Sequence, residues 1–362
     1  MKLILYINRT AGPKYGMYSA PSERWFKLLY KPGLRICFFM LVVIAARAQD
    51  STALQAGNTD QPYISWVSQY PAAKEDGKKQ NALKRTFNFL IKKDKQQSLV
   101  RPVAIAAAGT ADFCVLDQGG RTIFDVADNK ANVPRCIRKK ENYFTSLVGI
   151  CMLPDKEILF TDSRLNKIFI VSADNKKMNV FNDSLDLQQP TGIAYSAATH
   201  EVWVVETNAH RIAVLNERGE LIKTIGSRGD ENGQFNFPTS IWIDKAGDAY
   251  VVDAMNFRIE IFNKKGAFVS AFGEAGDAPG TFARPKGIAT DTFGNIYVVD
   301  ALFNVVQIFD RSGNFLYNFG KQGREKEEFW MPSGIYIDSK NFIYIADNYN
   351  SRIQIFQLIN GS

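Results

Sequence analysis

From residue 99 onward the chain repeats itself, and the period of the repeat leaves few folds open. The clearest copies read FPTSIWIDKAGDAYVVDAMNFRIEIF, RPKGIATDTFGNIYVVDALFNVVQIF and MPSGIYIDSKNFIYIADNYNSRIQIF. With Pro-x-small-Ile as the ruler, successive units start at Pro102, Leu147 (in the Pro position), Pro190, Pro238, Pro285 and Pro332, at intervals of 45, 43, 48, 47 and 47 residues. A unit of this length holds four short strands, which cannot bury both faces alone and must stack against copies of themselves. The expected fold is therefore all-β: a six-bladed β-propeller of four-stranded antiparallel blades.

The residues inside each unit agree with that reading. The first strand follows the proline, as in Gly287-Ile288-Ala289, and a turn runs from Asp244, Asp291 or Asp338 to Gly247, Gly294 or Asn341. Such residues tolerate turn geometry. The second strand is β-branched and aromatic, as in Ile296-Tyr297-Val298-Val299, and it ends in an acid: Asp117, Asp162, Glu206, Asp253, Asp300 or Asp347. The third strand is expected to open five residues after the acid, at Lys167, Arg211, Arg258, Val305 and Arg352, and the fourth to cover 268–272 and 315–319. This composition suits half-buried strands. No segment within 99–358 is long and helix-periodic enough for a βαβ fold.

Three inter-unit connections share one plan. Gly226, Gly229, Phe235 and Pro238 correspond to Gly273, Gly276, Phe282 and Pro285, and to Gly320, Gly323, Phe329 and Pro332. No GK[ST] follows these glycines and no helix opens there, so the mechanism of a phosphate-cradling loop is missing. The expectation is structural: glycines for the turn, and a phenylalanine stapling adjacent blades.

The series Pro-x-Gly-Ile, Gly-Asn-Ile-Tyr-Val-Val-Asp and Asp-Asn-Tyr-Asn-Ser-Arg-Ile-Gln-Ile-Phe resembles the NHL-repeat β-propeller family. The resemblance covers about residues 99–358. It is strong in the units starting at Pro238, Pro285 and Pro332, fair at Pro190 and degenerate in the first two. The loop order and the preface at 62–98 are similar to the six-bladed NHL proteins that bacteria export.

The last unit contains three strands, and an unpaired third strand would be a template for aggregation. The closing fourth strand is expected from the N-terminal side, at about 63–69, where Tyr63-Ile64-Ser65-Trp66-Val67 is β-prone and follows Pro62. Leu83, Phe87, Leu90 and Ile91 are spaced at i, i+4, i+7 and i+8, one face of a helix. They predict a short amphipathic helix over 79–93, lying over the face of the second-to-third strand turns, with Lys78, Lys79, Lys84, Arg85, Lys92, Lys93 and Lys95 on its solvated side. The propeller domain thus spans 62–358, between a flexible 49–61 segment and a 359–362 tail.

Residues 36–46, ICFFMLVVIAA, form an uncharged apolar run of 11, flanked by Arg35 and Arg47. A membrane span needs about 20 such residues, whereas this length suits a signal peptide, and Ala46-Arg47-Ala48 supplies a small-x-small cleavage pattern. Residues 1–48 are therefore expected to be a signal peptide, leaving Gln49 as the new N-terminus and no transmembrane domain. The n-region is long, with Met17 as an alternative start, and retention by an uncleaved anchor is the competing reading. Export to the periplasm or the extracellular space follows. Of the 44 Lys/Arg and 37 Asp/Glu, residues 1–48 hold eight and one, leaving 36 of each, so the formal charge of +7 belongs to the leader. Some cytoplasmic NHL propellers grip RNA through a basic face, and Arg138-Lys139-Lys140 is a local basic run. A neutral mature chain and export disfavour nucleic acid as a partner. Cys114, Cys136 and Cys151 remain after cleavage, too few for a disulfide framework and at spacings that match no zinc pattern. Buried free thiols are expected.

The strand-end acid and the base five residues later could form a catalytic pair, but they recur in most units, and Val305 breaks the pattern in one. A position filled in most blades is architectural, and a partly exposed pair is worth only about 0.2–1 kcal/mol. His200 and His210 flank a strand of about five residues, which at roughly 3.3 Å each separates them by some 17 Å. They cannot share a zinc ion with bonds near 2 Å. His210 also stands where NHL repeats often carry His before Arg. Peptidyl-amidoglycolate lyases resemble this fold and use several histidines around a central zinc, which this chain lacks. Calcium-dependent lactonase propellers need Glu, Asn and Asp converging on the axis. Here the residues after the ruler position are Val103, Val148, Thr191, Thr239, Lys286 and Ser333, followed by Ala104, Gly149, Gly192, Ser240, Gly287 and Gly334. The first set contains no carboxylate, and the second is uniformly small, as close backbone approach at the axis requires.

The expected binding residues are the non-recurring ones on the second-to-third turn face: Arg164, Asn208, His210, Met255, Phe257, Leu302, Phe303 and Tyr349, with Lys286 beside the axis and Trp330 in a loop. Clustered aromatics and methionine suggest a binding patch, with Phe257 and Phe303 folding inward as the alternative. The function read from these features is an exported, non-catalytic binding or scaffold module for a protein, peptide or glycan, a monomer without catalytic residues, metal or cofactor. The alternative is an extracytoplasmic metal-dependent lyase or lactone hydrolase with a loop-supplied site.

Overall fold

The computed structural model describes residues 63–71, 98–107, 112–127, 130–139 and 143–359. The signal-peptide and 79–93 helix expectations lie outside these residues. Among the described residues, no helix is long and apolar enough to cross a membrane.

Six four-stranded antiparallel sheets form the described chain. The unit starting at Pro238 shows the plan: strands Pro238–Ile243, Ala249–Asp253, Arg258–Phe262 and Phe268–Phe272 run from the axis outward in chain order. The second strands of all six blades end on the expected acids, and the third strands of the last five open on Lys167, Arg211, Arg258, Val305 and Arg352. The first two blades have short outer strands, Lys130–Asn132 and Met178–Val180. A single helical turn, Arg135–Arg138, occupies the connection between them, with Cys136 and Ile137 buried.

The ring closes as the unpaired edge requires. Tyr63–Tyr70 pairs antiparallel with Arg352–Ile359, from Tyr63 opposite Ile359 to Tyr70 opposite Ile353, with a bulge between Trp66 and Ser68. The last blade thus has the order N-terminal strand, third, second and first strand.

Packing between blades rests on the middle strands, whose residues are buried on both faces. Tyr250, Val252, Ile259 and Ile261 of the fourth blade form one cluster with Phe282, Ile288, Ile296 and Val298 of the fifth. Phe235, Phe282 and Phe329, the expected staples, are fully buried. Gly273, at φ +100°, lies beneath Phe282, where a Cβ would come within 2.4 Å of the ring. At the axis the small residues are required by backbone proximity: a Cβ on Gly149 would meet Thr191 O at 2.2 Å, and one on Gly334 would meet Val103 O at 2.5 Å. The three cysteines among the described residues are free, with Cys114 and Cys136 buried and Cys151 half-buried.

Candidate functional site: the axial cavity and the face around it

The strand-end acids are buried and already saturated with donors. Asp162 accepts from the backbone amides of Thr145, Ser146, Arg164 and Leu165. Asp300 accepts from Ala283, Arg284, Leu302 and Phe303. Each therefore ties its own turn to the connection that enters the blade. Where a base follows, it extends the same tie. Arg352 pairs with Asp347 at 2.7 Å and donates to Glu325 O and Glu328 O, and Arg258 does likewise for Asp253, Asp230 O and Glu231 O. These groups are architectural, as expected.

One blade carries two acids on one arginine. Arg258 contacts Asp253 at 3.0 Å and Glu260 at 2.7 Å, and all three side chains are buried or nearly so. Burial holds Asp253 above the usual carboxylate range and pushes Glu260 up to about 7. Glu260 Oε2 has no hydrogen-bond partner. Gln307 and Gln354 stand at the same place in the next two blades and bind the connection through both amide atoms.

His210 is an architectural residue too. It is buried, at φ +53°, a left-handed conformation shared by Asn166, Phe257, Asn304 and Ser351 at the same turn position. Its Nδ1 accepts the Phe237 amide at 3.2 Å, as Asn166 Oδ1 accepts the Gln189 amide and Asn304 Oδ1 the Met331 amide. His210 thus pins the following blade, with Phe237 packed on its ring at a tilt, 4.4 Å between centroids. His200 lies at the other end of its strand, bonded to Tyr195 and Glu217.

A different turn position forms an exposed ring. Arg164, Asn208, Met255, Leu302 and Tyr349 each stand two residues after the strand-end acid of successive blades, and all five are exposed. The last three form an apolar arc across the fourth to sixth blades, at 55%, 57% and 53% exposure. Phe237, 39% exposed, lies beside the arc on the same face. Trp330 packs edge-on against Tyr349 at 5.9 Å and carries the Arg324 guanidinium 4.6 Å over its ring. Phe257 turns inward and packs against the core between the fourth and fifth blades; Phe303 is half-buried.

Inside the arc lies an axial cavity of about 1170 Å³, lined by the first strands of all six blades. Of the expected binding residues, Lys286 and Tyr349 line it. The others stand on the surrounding face or, like His210 and Phe257, within the packing. Sequence reading missed Phe237, Arg284 and Met331. All three directly precede a ruler proline, so an alignment of the repeats on that column could have found them.

The cavity's polar lining is unevenly organised. The residue after the strand-end acid donates to the carbonyl at the ruler position of the next blade in three cases: Gln118 to Leu147 O, Thr207 to Pro238 O and Asn348 to Pro102 O. In the fourth and fifth blades that residue is Ala254 or Ala301, with no side-chain donor. Thr191 hydrogen-bonds Thr207 at 2.8 Å, whereas Thr239, opposite Ala254, has a buried hydroxyl without a partner. The carboxylates lining the cavity, Asp244, Asp291 and Asp338, stand in the first-to-second strand turns at the opposite end. Each is bonded to amides of its own turn. Among the described residues, no group of three or more His, Cys, Asp or Glu side chains is placed to hold a metal ion.

With this geometry in view, the fold is that of a six-bladed β-propeller, and its last unit is similar to the NHL repeat. A family model described as NHL repeat matches residues 329–356, and one described as 6-bladed beta-propeller matches 246–304. No curated protein matches the chain in sequence. Among solved structures, the chain is similar to virginiamycin B lyase from Staphylococcus aureus at 16% identity, covering 73% of this chain and 98% of that one with a TM-score of 0.53. It is also similar to an auxiliary nutrient binding protein from Bacteroides thetaiotaomicron, at 13% identity, 72% and 70% coverage and a TM-score of 0.57. A gluconolactonase from Xanthomonas campestris shows 15% identity, 72% and 87% coverage and a TM-score of 0.55.

Proposed function

We propose that this protein is an exported, non-catalytic binding module that holds a peptide, protein or glycan on the face of the second-to-third strand turns. The same fold serves a lyase, a lactonase and a nutrient-binding protein, so the fold alone does not choose among them. The observation that carries the reading is the asymmetry of that face. A turn position that is polar in the second and third blades becomes Met255, Leu302 and Tyr349 in the next three, all exposed, with Tyr349 also lining a large axial cavity. Exposed apolar side chains in one arc beside Trp330 have the make-up of an interaction surface. The titratable groups that recur through the frame are held by its hydrogen bonds rather than free for proton transfer. Export is supported by the 36–46 apolar run and the Ala46-Arg47-Ala48 pattern.

The test is capture from the envelope fraction of the exporting cell, comparing the wild type with a Met255→Ser, Leu302→Ser, Tyr349→Ser variant. A partner retained by the wild type and lost from an equally stable variant supports the reading. Stoichiometric zinc or calcium, lost together with a measurable activity when the channel-mouth loops are mutated, would replace it with the lyase or lactonase alternative. N-terminal sequencing of the mature protein should begin at Gln49.

A further inference from the structure

Lys286 sits in the second position of its blade's first strand, half-buried in the axial cavity. Neither its ammonium nor the Arg284 guanidinium makes a hydrogen bond or ion pair with any described side chain or backbone atom. The two cations act on each other: Lys286 is held below the usual lysine range, first by burial and then by Arg284. Two like charges with no counter-ion among the described residues, one half-buried and one exposed, repel each other, and an anion between them would relieve that.

The surroundings are arranged to the same end. Asp291, the cavity-lining acid of the same blade, stands at the far end of the strand, five residues or about 16 Å away, and is bonded within its own turn. In the neighbouring blade the Thr239 hydroxyl is buried and unpartnered, at the position equivalent to Lys286. Ala254 and Ala301 replace the side chains that elsewhere reach the next blade's ruler carbonyl, which leaves room there. A buried hydroxyl without a partner is costly, and here it lies on the strand next to the free ammonium.

We propose that Lys286, Arg284 and the Thr239 hydroxyl form a site for an oxyanion, the carboxylate or phosphate group of the ligand held on this face. Lys286 supplies a point charge, Arg284 a planar pair of donors, and Thr239 one directional hydrogen bond. Met331 and Tyr349 at the same mouth meet whatever apolar group the anion carries. This assigns ligand chemistry to the face described above and rests on that reading, but it is tested without the natural partner.

The experiment uses protein with 13C-methylated lysines, titrated with inorganic phosphate, with N-acetyl-L-phenylalanine and with its uncharged amide. The expected result is saturable movement of the Lys286 resonance with at least one anion and none with the amide. Binding by N-acetyl-L-phenylalanine alone names a carboxylate, and binding by phosphate alone names a phosphate. With affinity read by isothermal titration calorimetry of the same ligands, Lys286→Met should weaken binding at least tenfold, Thr239→Val severalfold, and Lys245→Met, at the opposite end of the cavity, not at all. Both site variants remove an unsatisfied group and should melt no lower than the wild type. Absence of saturable binding by either anion, or unchanged affinity in Lys286→Met, overturns the site. If that happens while Met255, Leu302 and Tyr349 remain necessary for partner capture, the binding face stands and only its anion site falls.

Discussion

Trp66 Nε1 donates to Gln354 Oε1 at 3.1 Å, joining the N-terminal strand to the last strand of the chain across 288 residues of sequence. The Trp66 ring packs on the core between the fifth and sixth blades, and the Lys326 ammonium lies 4.7 Å over it. Trp66→Ala removes part of that packing and a hydrogen bond, with an expected loss of about 2 kcal/mol for a half-buried aromatic. Urea unfolding measures it. Deletion through residue 80 removes the strand itself and exposes the edge of Arg352–Ile359, so the truncated protein should self-associate in size-exclusion chromatography. A truncated monomer with the wild-type melting temperature would show that the ring does not depend on this closure.

Glu260 should make stability fall with rising pH. Its folded pKa is raised to about 7 from 4.5, so the penalty for ionising it is absent below about pH 4.5, grows between 4.5 and 7, and is constant above. Glu260→Gln supplies the amide that Gln307 and Gln354 already use. At 1.36 kcal/mol per pH unit over about 2.5 units, the variant should gain on the order of 3 kcal/mol at pH 8 and almost nothing at pH 4. Chemical denaturation at both values checks the sign.

The two ends of the acid–base series should differ. The Arg211 side chain is 35% exposed over Glu206, whereas that of Arg352 is 9% exposed and also donates to Gln69, Glu325 O and Glu328 O. Arg211→Ala strands the buried Glu206 carboxylate but opens a partly exposed position through which water can reach it, and should cost about 1–3 kcal/mol. Asp347→Ala, which leaves Arg352 buried without its counter-ion, should cost about 3–5 kcal/mol. Equal losses in thermal or urea unfolding would contradict the architectural assignment.

His210→Asn should be tolerated, since Asn166 and Asn304 accept the corresponding amide in their own blades. The expected change is within about 0.5 kcal/mol, against about 1–2 kcal/mol for His210→Ala, which strands the Phe237 amide. Partner capture should survive His210→Asn. Its loss with stability intact would move His210 from the frame to the binding surface.

The Cys151 thiol lines the axial cavity, yet burial pushes it up to about 12. Iodoacetamide at pH 8 should leave it unmodified in the folded protein and alkylate it after unfolding, read by mass spectrometry, because only the thiolate reacts.

Residue patterns that are local in the chain carried through to the structure. The six starts, the strand-ending acids, the Phe235–Phe282–Phe329 staples and the closing strand are each written in a few consecutive residues and repeated, so one copy checks another. The binding face was legible in outline, because Met255, Leu302 and Tyr349 occupy one turn position. What each side chain meets there was not legible. His210 and Phe257 share a left-handed turn position that directs them into the packing, and neighbours in sequence do not reveal that direction.

Six blades, their order and their closure follow from the amino-acid sequence, because period-two patterning and turn residues act over distances of a few residues. The tertiary structure decided which polar groups go unanswered. Lys286, Arg284, Thr239 and Ala254 belong to adjacent blades and stand up to 47 residues apart, and only the approach of the inner strands at the axis brings the two cations to the cavity and leaves the buried Thr239 hydroxyl unpartnered on the neighbouring first strand.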